Sequence, residues 1–95
     1  YLAKNPNDAD IHATIADIYY HTKNYFEALK YYEKYLLYFP QSLDAIVRIA
    51  DCYFNLNKIQ AARAGYKAVL SRDPNHKIAG QRLTELDEFM QLTDR

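Results

Sequence analysis

Apolar residues recur along the chain at three- and four-residue steps, in stretches separated by short polar breaks. That spacing gathers them on one face of an α-helix, not of a strand. The first stretch runs through Ile11, Ile15, Ile18, Tyr19 and Thr22 and breaks at Lys23-Asn24. The next runs through Ala28, Tyr31, Tyr32, Tyr35, Leu36 and Phe39. Pro40 stops it, because proline has no amide hydrogen and clashes with the preceding turn. Ala45, Ile46, Ile49, Ala50, Tyr53 and Phe54 form a third stripe, turned by Asn55-Leu56-Asn57. Ile59, Ala62, Tyr66, Val69 and Leu70 form a fourth, ended by Pro74. From Lys77 onward Leu83, Leu86, Phe89 and Met90 make a last stripe, with Glu85, Glu88 and Gln91 on its polar side. Asn7, Ser42 and Asn75 each precede a helix and are expected N-caps. Asp8, Asp10 and Asp44 favour the first turns. Asn57 suits the left-handed conformation that ends a helix. Breaks this short make neighbouring helices antiparallel, so the chain is expected to be all-α.

The pattern repeats. Pro6, Pro40 and Pro74 are each 34 residues apart. At that shift Asp10 falls on Asp44, Ile15 on Ile49, Ala16 on Ala50, Asp17 on Asp51 and Tyr19 on Tyr53. Ala28 falls on Ala62, Tyr32 on Tyr66, Leu36 on Leu70 and Pro40 on Pro74. A fixed period of this length marks a stacked array of helix pairs. The units are 9–42 and 43–76, with 77–95 a capping helix and tail that covers the last apolar face. Tyr1-Leu2 before Pro6 mirrors Tyr35-Leu36 before Pro40, so 1–8 reads as the end of a truncated preceding repeat. The first helix would then be partly uncovered, and self-association through that N-terminal face is expected.

A 34-residue helix–turn–helix unit of this kind resembles the tetratricopeptide repeat. Ala16, Ala28, Ala50 and Ala62 match the family's small residues where helices cross. Tyr19, Tyr32, Tyr53 and Tyr66 match its aromatic packing positions, and Pro40 and Pro74 its closing proline. The resemblance implies a right-handed solenoid of antiparallel helix pairs. There are departures. The family's early tryptophan is His12 and then Ile46, and its turn glycine is Lys23 and then Asn57. Tyr35 stands where a small residue is usual and should crowd its neighbours, with Ala45 giving relief.

The resemblance also implies that the first helix of each unit lines a concave groove. On the first such helix Asp17, Tyr20 and His21 should face outward, with Asp10, Ala13 and Thr14. The second offers Asp44, Val47, Arg48, Asp51, Phe54 and Asn55. The closing helix offers Gln81 and Arg82 beside Ile78 and Glu85. Asp17, Asp51 and Glu85 form an acidic row, Arg48 and Arg82 a basic row, and Tyr20 and Phe54 an aromatic step extended by Phe89. Exposed aromatics beside arginine are favoured hot-spot chemistry, and an extended peptide or partner helix fits such a groove. A second reading pairs Arg48 with Asp17 and Arg82 with Asp51 across repeats, as exposed pairs of only ~0–1 kcal/mol. Some family members clamp chaperone C-termini with lysine, asparagine and arginine. Ala13 and Asp17 stand at the lysine and asparagine positions, which argues against that ligand.

Composition narrows the function further. Twelve basic residues balance twelve acidic ones, leaving no field to draw nucleic acid or an anionic membrane, and the groove itself reads as balanced. No apolar run is long enough to span a bilayer, and a soluble, preferentially cytoplasmic protein is expected. The single cysteine, Cys52, allows no internal disulfide. Asp17 and His21 lie four apart on one helix face, but two ligands are too few for a metal site. His12 is on the packing side, and Tyr31 and Tyr38 are seam residues or a convex patch. No nucleophile–histidine arrangement and no Gly-rich phosphate loop stands out. Gly65 and Gly80 are attributed to close helix approach. The expectation is therefore a scaffold for a protein or peptide ligand, with no enzyme activity, no cofactor and no metal. A self-associating or intramolecular stacking module, or a non-catalytic regulatory segment of a larger protein, is the alternative.

Overall fold

The computed structural model describes residues 6–93. Residues 1–5 of the expected remnant at 1–8, and 94–95 of the tail, lie outside them. The chain is an all-helical repeat solenoid of α1 (Pro6–His21), α2 (Tyr25–Tyr38), α3 (Leu43–Asn55), α4 (Ile59–Arg72) and α5 (Lys77–Thr93). Each helix packs chiefly on the next in sequence, giving an elongated body of 53 × 28 × 16 Å.

The two intra-unit turns share one geometry. Lys23 and Asn57 have φ of 67° and 66°. The Asn24 amide donates to Tyr19 O at 2.8 Å and the Lys23 amide to Tyr20 O at 3.1 Å. In the second unit Lys58 donates to Tyr53 O at 2.8 Å and Asn57 to Phe54 O at 3.0 Å. These paired bonds satisfy carbonyls that a helix end leaves open. The inter-unit starts also correspond. Ser42 Oγ accepts from the Ala45 amide at 3.3 Å, as expected of a cap. One repeat later it is His76, not Asn75, that caps α5, its Nδ1 accepting from the Ala79 amide at 3.1 Å. The Asn75 amide instead donates to Asp73 Oδ1, within the turn. Asn7 lies inside α1 and is not its cap.

The core is two linked clusters. Ala16, Ala28, Leu29, Tyr32 and Cys52 form one. Val47, Ala50, Ala62, Tyr66, Val69, Ala79 and Leu86 form the other. Helix α3 contributes to both, because it has packed neighbours on two sides. This corrects two expectations for the outward face: Val47 is 5% exposed and Asp51 4%. Repeat partners show the cause. Cys52 is fully buried, whereas Ile18, at the same place in α1, is 58% exposed. Ile11 is 54% exposed, so Ile11 and Ile18 are not part of the buried stripe assigned to them. Ala9 and Ala16 take that role on α1.

At Gly65 α3 and α4 meet closely: a Cβ there would lie 2.9 Å from Ala50 Cβ. Gly80 differs from its expected role, since a Cβ there would meet nothing within 4 Å. His12 packs between the rings of Tyr31 and Tyr38, at 6.1 and 6.2 Å, and its buried Nδ1 has no hydrogen-bond partner among the described residues. Tyr31 also stacks on Tyr19 at 5.9 Å, which makes it a seam residue. The Tyr35 ring leans on Phe39 at 5.2 Å and shares a cleft with Ala45.

Candidate partner-binding groove

Helices α1, α3 and α5 are tied together by side chains that converge on Asp51. Its carboxylate accepts from the Tyr20 hydroxyl on α1 at 3.1 Å and from Arg82 Nη1 on α5 at 3.2 Å. The Tyr66 hydroxyl on α4 donates to it as well. Burial of a carboxylate is tolerable only with such partners. The pull is mutual. Burial first, then the bond to Asp51, pushes the Tyr66 hydroxyl well above the usual tyrosine range. Tyr20 is raised by burial and then by the Asp51 charge. The beginning of this arrangement recurs one repeat earlier, where Tyr32 donates to Asp17. Burial and that bond raise Tyr32 in the same way.

Of the two cross-repeat pairs expected, Arg82–Asp51 forms. Arg48–Asp17 does not. Arg48 stands over the Tyr20 ring instead, 4.8 Å from its centroid, a cation–π contact. The repeats also differ in the aromatic residue at this place: Tyr20 in α1 is Phe54 in α3. Tyr20 offers Arg48 a ring face while its hydroxyl reaches across to Asp51. Phe54 has no hydroxyl and meets Phe89 edge-on at 5.5 Å.

The remaining expected groove residues are distributed as follows. Asp17 is exposed. His21 is exposed at the end of α1, its ring edge-on to Tyr20 at 5.6 Å. Asp44, whose side chain is 97% exposed, lies 3.9 Å from His76 Nε2. Asn55 is exposed and donates from Nδ2 to the Asp51 carbonyl at 2.8 Å, closing the end of α3. Gln81 is exposed. Val47, though buried, lines a cleft between α3 and α5.

Three adjoining clefts open on this side. One of about 230 Å³ is lined by Asp17, Tyr32, Asp44 and Arg48, among others. One of about 200 Å³ is lined by Asp51, Phe54, Tyr66, Arg82 and Glu85. The third, about 330 Å³, lies between them and shares Asp44, Arg48, Asp51 and Arg82. The first two carry the same Asp–Tyr–Arg set, displaced by one repeat. The sequence match covers the part of this region that lies beyond α1. The family model for the tetratricopeptide repeat matches residues 23–86, well over half of the chain.

The chain belongs to the tetratricopeptide repeat family. A search of the curated proteins finds no match. Tetratricopeptide repeats are protein–protein interaction modules, and the matched region of this one spans α2 to α4 and much of α5. Among the described residues, no group of three or more His, Cys, Asp or Glu side chains could hold a metal ion. No described helix is long and apolar enough to cross a membrane. Burial, and then the neighbouring Asp51, push the Cys52 thiol up to about 12. A thiol so raised is protonated at neutral pH and a poor nucleophile.

Tyr32 and Tyr66 were legible as packing residues but not as anchors for the two aspartates. The signal was there: Asp17 with Tyr32, and Asp51 with Tyr66, keep the same separation in both units.

Proposed function

We propose that this tetratricopeptide repeat chain is a non-catalytic scaffold that holds a peptide or helix of a protein partner along the α1, α3 and α5 side. The observation that carries the reading is the run of three adjoining clefts there, two of them lined by Asp51 and Arg82, which the Tyr20–Asp51–Arg82 bridge ties together. Half-exposed aromatic and arginine side chains on a pre-ordered floor lose little freedom on binding and can contribute large anchoring contacts. Arg48 on Tyr20 and Phe54 on Phe89 are such groups.

The test is capture from source-cell lysate by the immobilised chain, beside Arg48→Glu/Phe54→Ala. The expected outcome is a protein retained by the parent and lost by the variant, with both giving the same helical circular dichroism. Equal retention would remove the groove reading.

A second reading is favoured by Ile11 and Ile18, which are exposed one above the other on α1. An apolar helix face of this kind is where a copy or another part of the same protein would stack. In that case Ile11→Glu/Ile18→Glu would alter the sedimentation mass of the chain, and the groove variant would not.

A further inference from the structure

Resting on the groove reading, we infer that the segment held there is a basic one, with lysine or arginine side chains alternating with apolar ones. The chain is neutral overall, but its charges are sorted by helix. Helices α1, α3 and α5 carry eight acidic residues against three basic ones. Helices α2 and α4 carry two acidic and five basic. Asp87 is drawn to the other side by Arg63 of α4, at 3.0 Å.

What matters to a ligand is which of these charges it meets, and the expectation of a balanced groove fails on that point. Arg48 and Arg82 are both half-buried and engaged, one over the Tyr20 ring and one on the Asp51 carboxylate. The most exposed charges along the clefts are carboxylates. Asp17 and Asp44 line the cleft nearer the N-terminus, and Glu85 lines the one that holds Phe54 and Tyr66. All three are exposed. An acidic segment would meet these first. To reach the arginines it would have to draw Arg82 off Asp51, stranding part of a buried carboxylate's partnership. A basic segment meets complementary charge at each cleft and disturbs nothing beneath. Ile78, 50% exposed on α5, and Phe54 on α3 line these clefts and supply apolar contact between the charged positions.

The experiment is fluorescence anisotropy of the whole chain with three labelled peptides, alternating leucine with lysine, with glutamate or with serine. The lysine peptide should bind more tightly than the other two, and added salt should weaken it. Asp17→Asn/Asp44→Asn/Glu85→Gln, which neutralises exposed groups only, should weaken it about tenfold. Phe54→Ala should weaken every peptide that binds. Binding of the glutamate peptide as tight as that of the lysine peptide, still lost in Phe54→Ala, would overturn the basic class and leave the groove standing. Failure of all three peptides to bind overturns the inference. So does lysine-peptide binding indifferent to the three neutralisations; if it is also indifferent to Phe54→Ala, the groove reading falls with it.

Discussion

A carboxylate taken out of water costs several kcal/mol unless donors replace the lost solvation. Asp51 has three side-chain donors, from Tyr20, Tyr66 and Arg82, and so links α3 to α1, α4 and α5 at once. Asp17 holds the same place one repeat earlier with Tyr32 as its side-chain donor, and stays exposed. The two aspartates should therefore respond very differently to removal. Asp51→Ala leaves two hydroxyls and a guanidinium without their acceptor and should lower unfolding free energy by roughly 3 kcal/mol. Asp17→Ala, at a site water can reach, should cost about 1 kcal/mol or less. Urea denaturation followed by circular dichroism measures both, and equal losses would contradict the account. From sequence the two looked alike, because a period of 34 residues specifies equivalent positions, not equivalent numbers of neighbours. Arg48 shows the same limit: its place was legible, but its contact with the Tyr20 ring in place of Asp17 is set by packing between the repeats.

At the level of helices and turns, the apolar spacing gave the order of elements, and proline and asparagine gave most of the breaks. Asn57 adopts the left-handed turn its residue type favours. Lys23 does so without that preference, because Tyr19 and Tyr20 offer the same open carbonyls as Tyr53 and Phe54. His76 was harder to read, since histidine is an unusual cap; its position one repeat after Ser42 was the available signal. The glycines separate cleanly in space though not in sequence. Gly80→Ala adds a methyl into open space and should stabilise α5 by ~1 kcal/mol through helix propensity. Gly65→Ala gains the same propensity but drives a methyl into Ala50, and overpacking of ~1–3 kcal/mol should make it neutral to destabilising. Thermal melts of the two variants should move apart, Gly80→Ala upward by about 4–8 °C. A rise of equal size in Gly65→Ala would mean that α3 and α4 do not meet as closely as described.

Across the whole molecule, a solenoid lays equivalent side chains in rows, so a sequence that is neutral on average can still present one acidic side and one basic side. The family, the helix order and the side on which the first helices lie were legible from the period and its matching residues. The division between floor and rim was not. Val47 and Asp51 lie beneath the groove because α3 is flanked by both repeats and by α5, and that flanking depends on assembly of the units. The pre-ordered floor is what the proposed scaffold function depends on: Tyr20, Tyr66 and Arg82 are already bonded to Asp51 before a partner arrives. The most direct test is to titrate isotope-labelled chain with the segment of a captured partner and follow its backbone amide resonances. The account predicts that shifts gather on Asp17, Tyr20, Arg48, Phe54 and Arg82, along α1, α3 and α5. Shifts gathered on α2 and α4, or confined to Ile11 and Ile18, would contradict it.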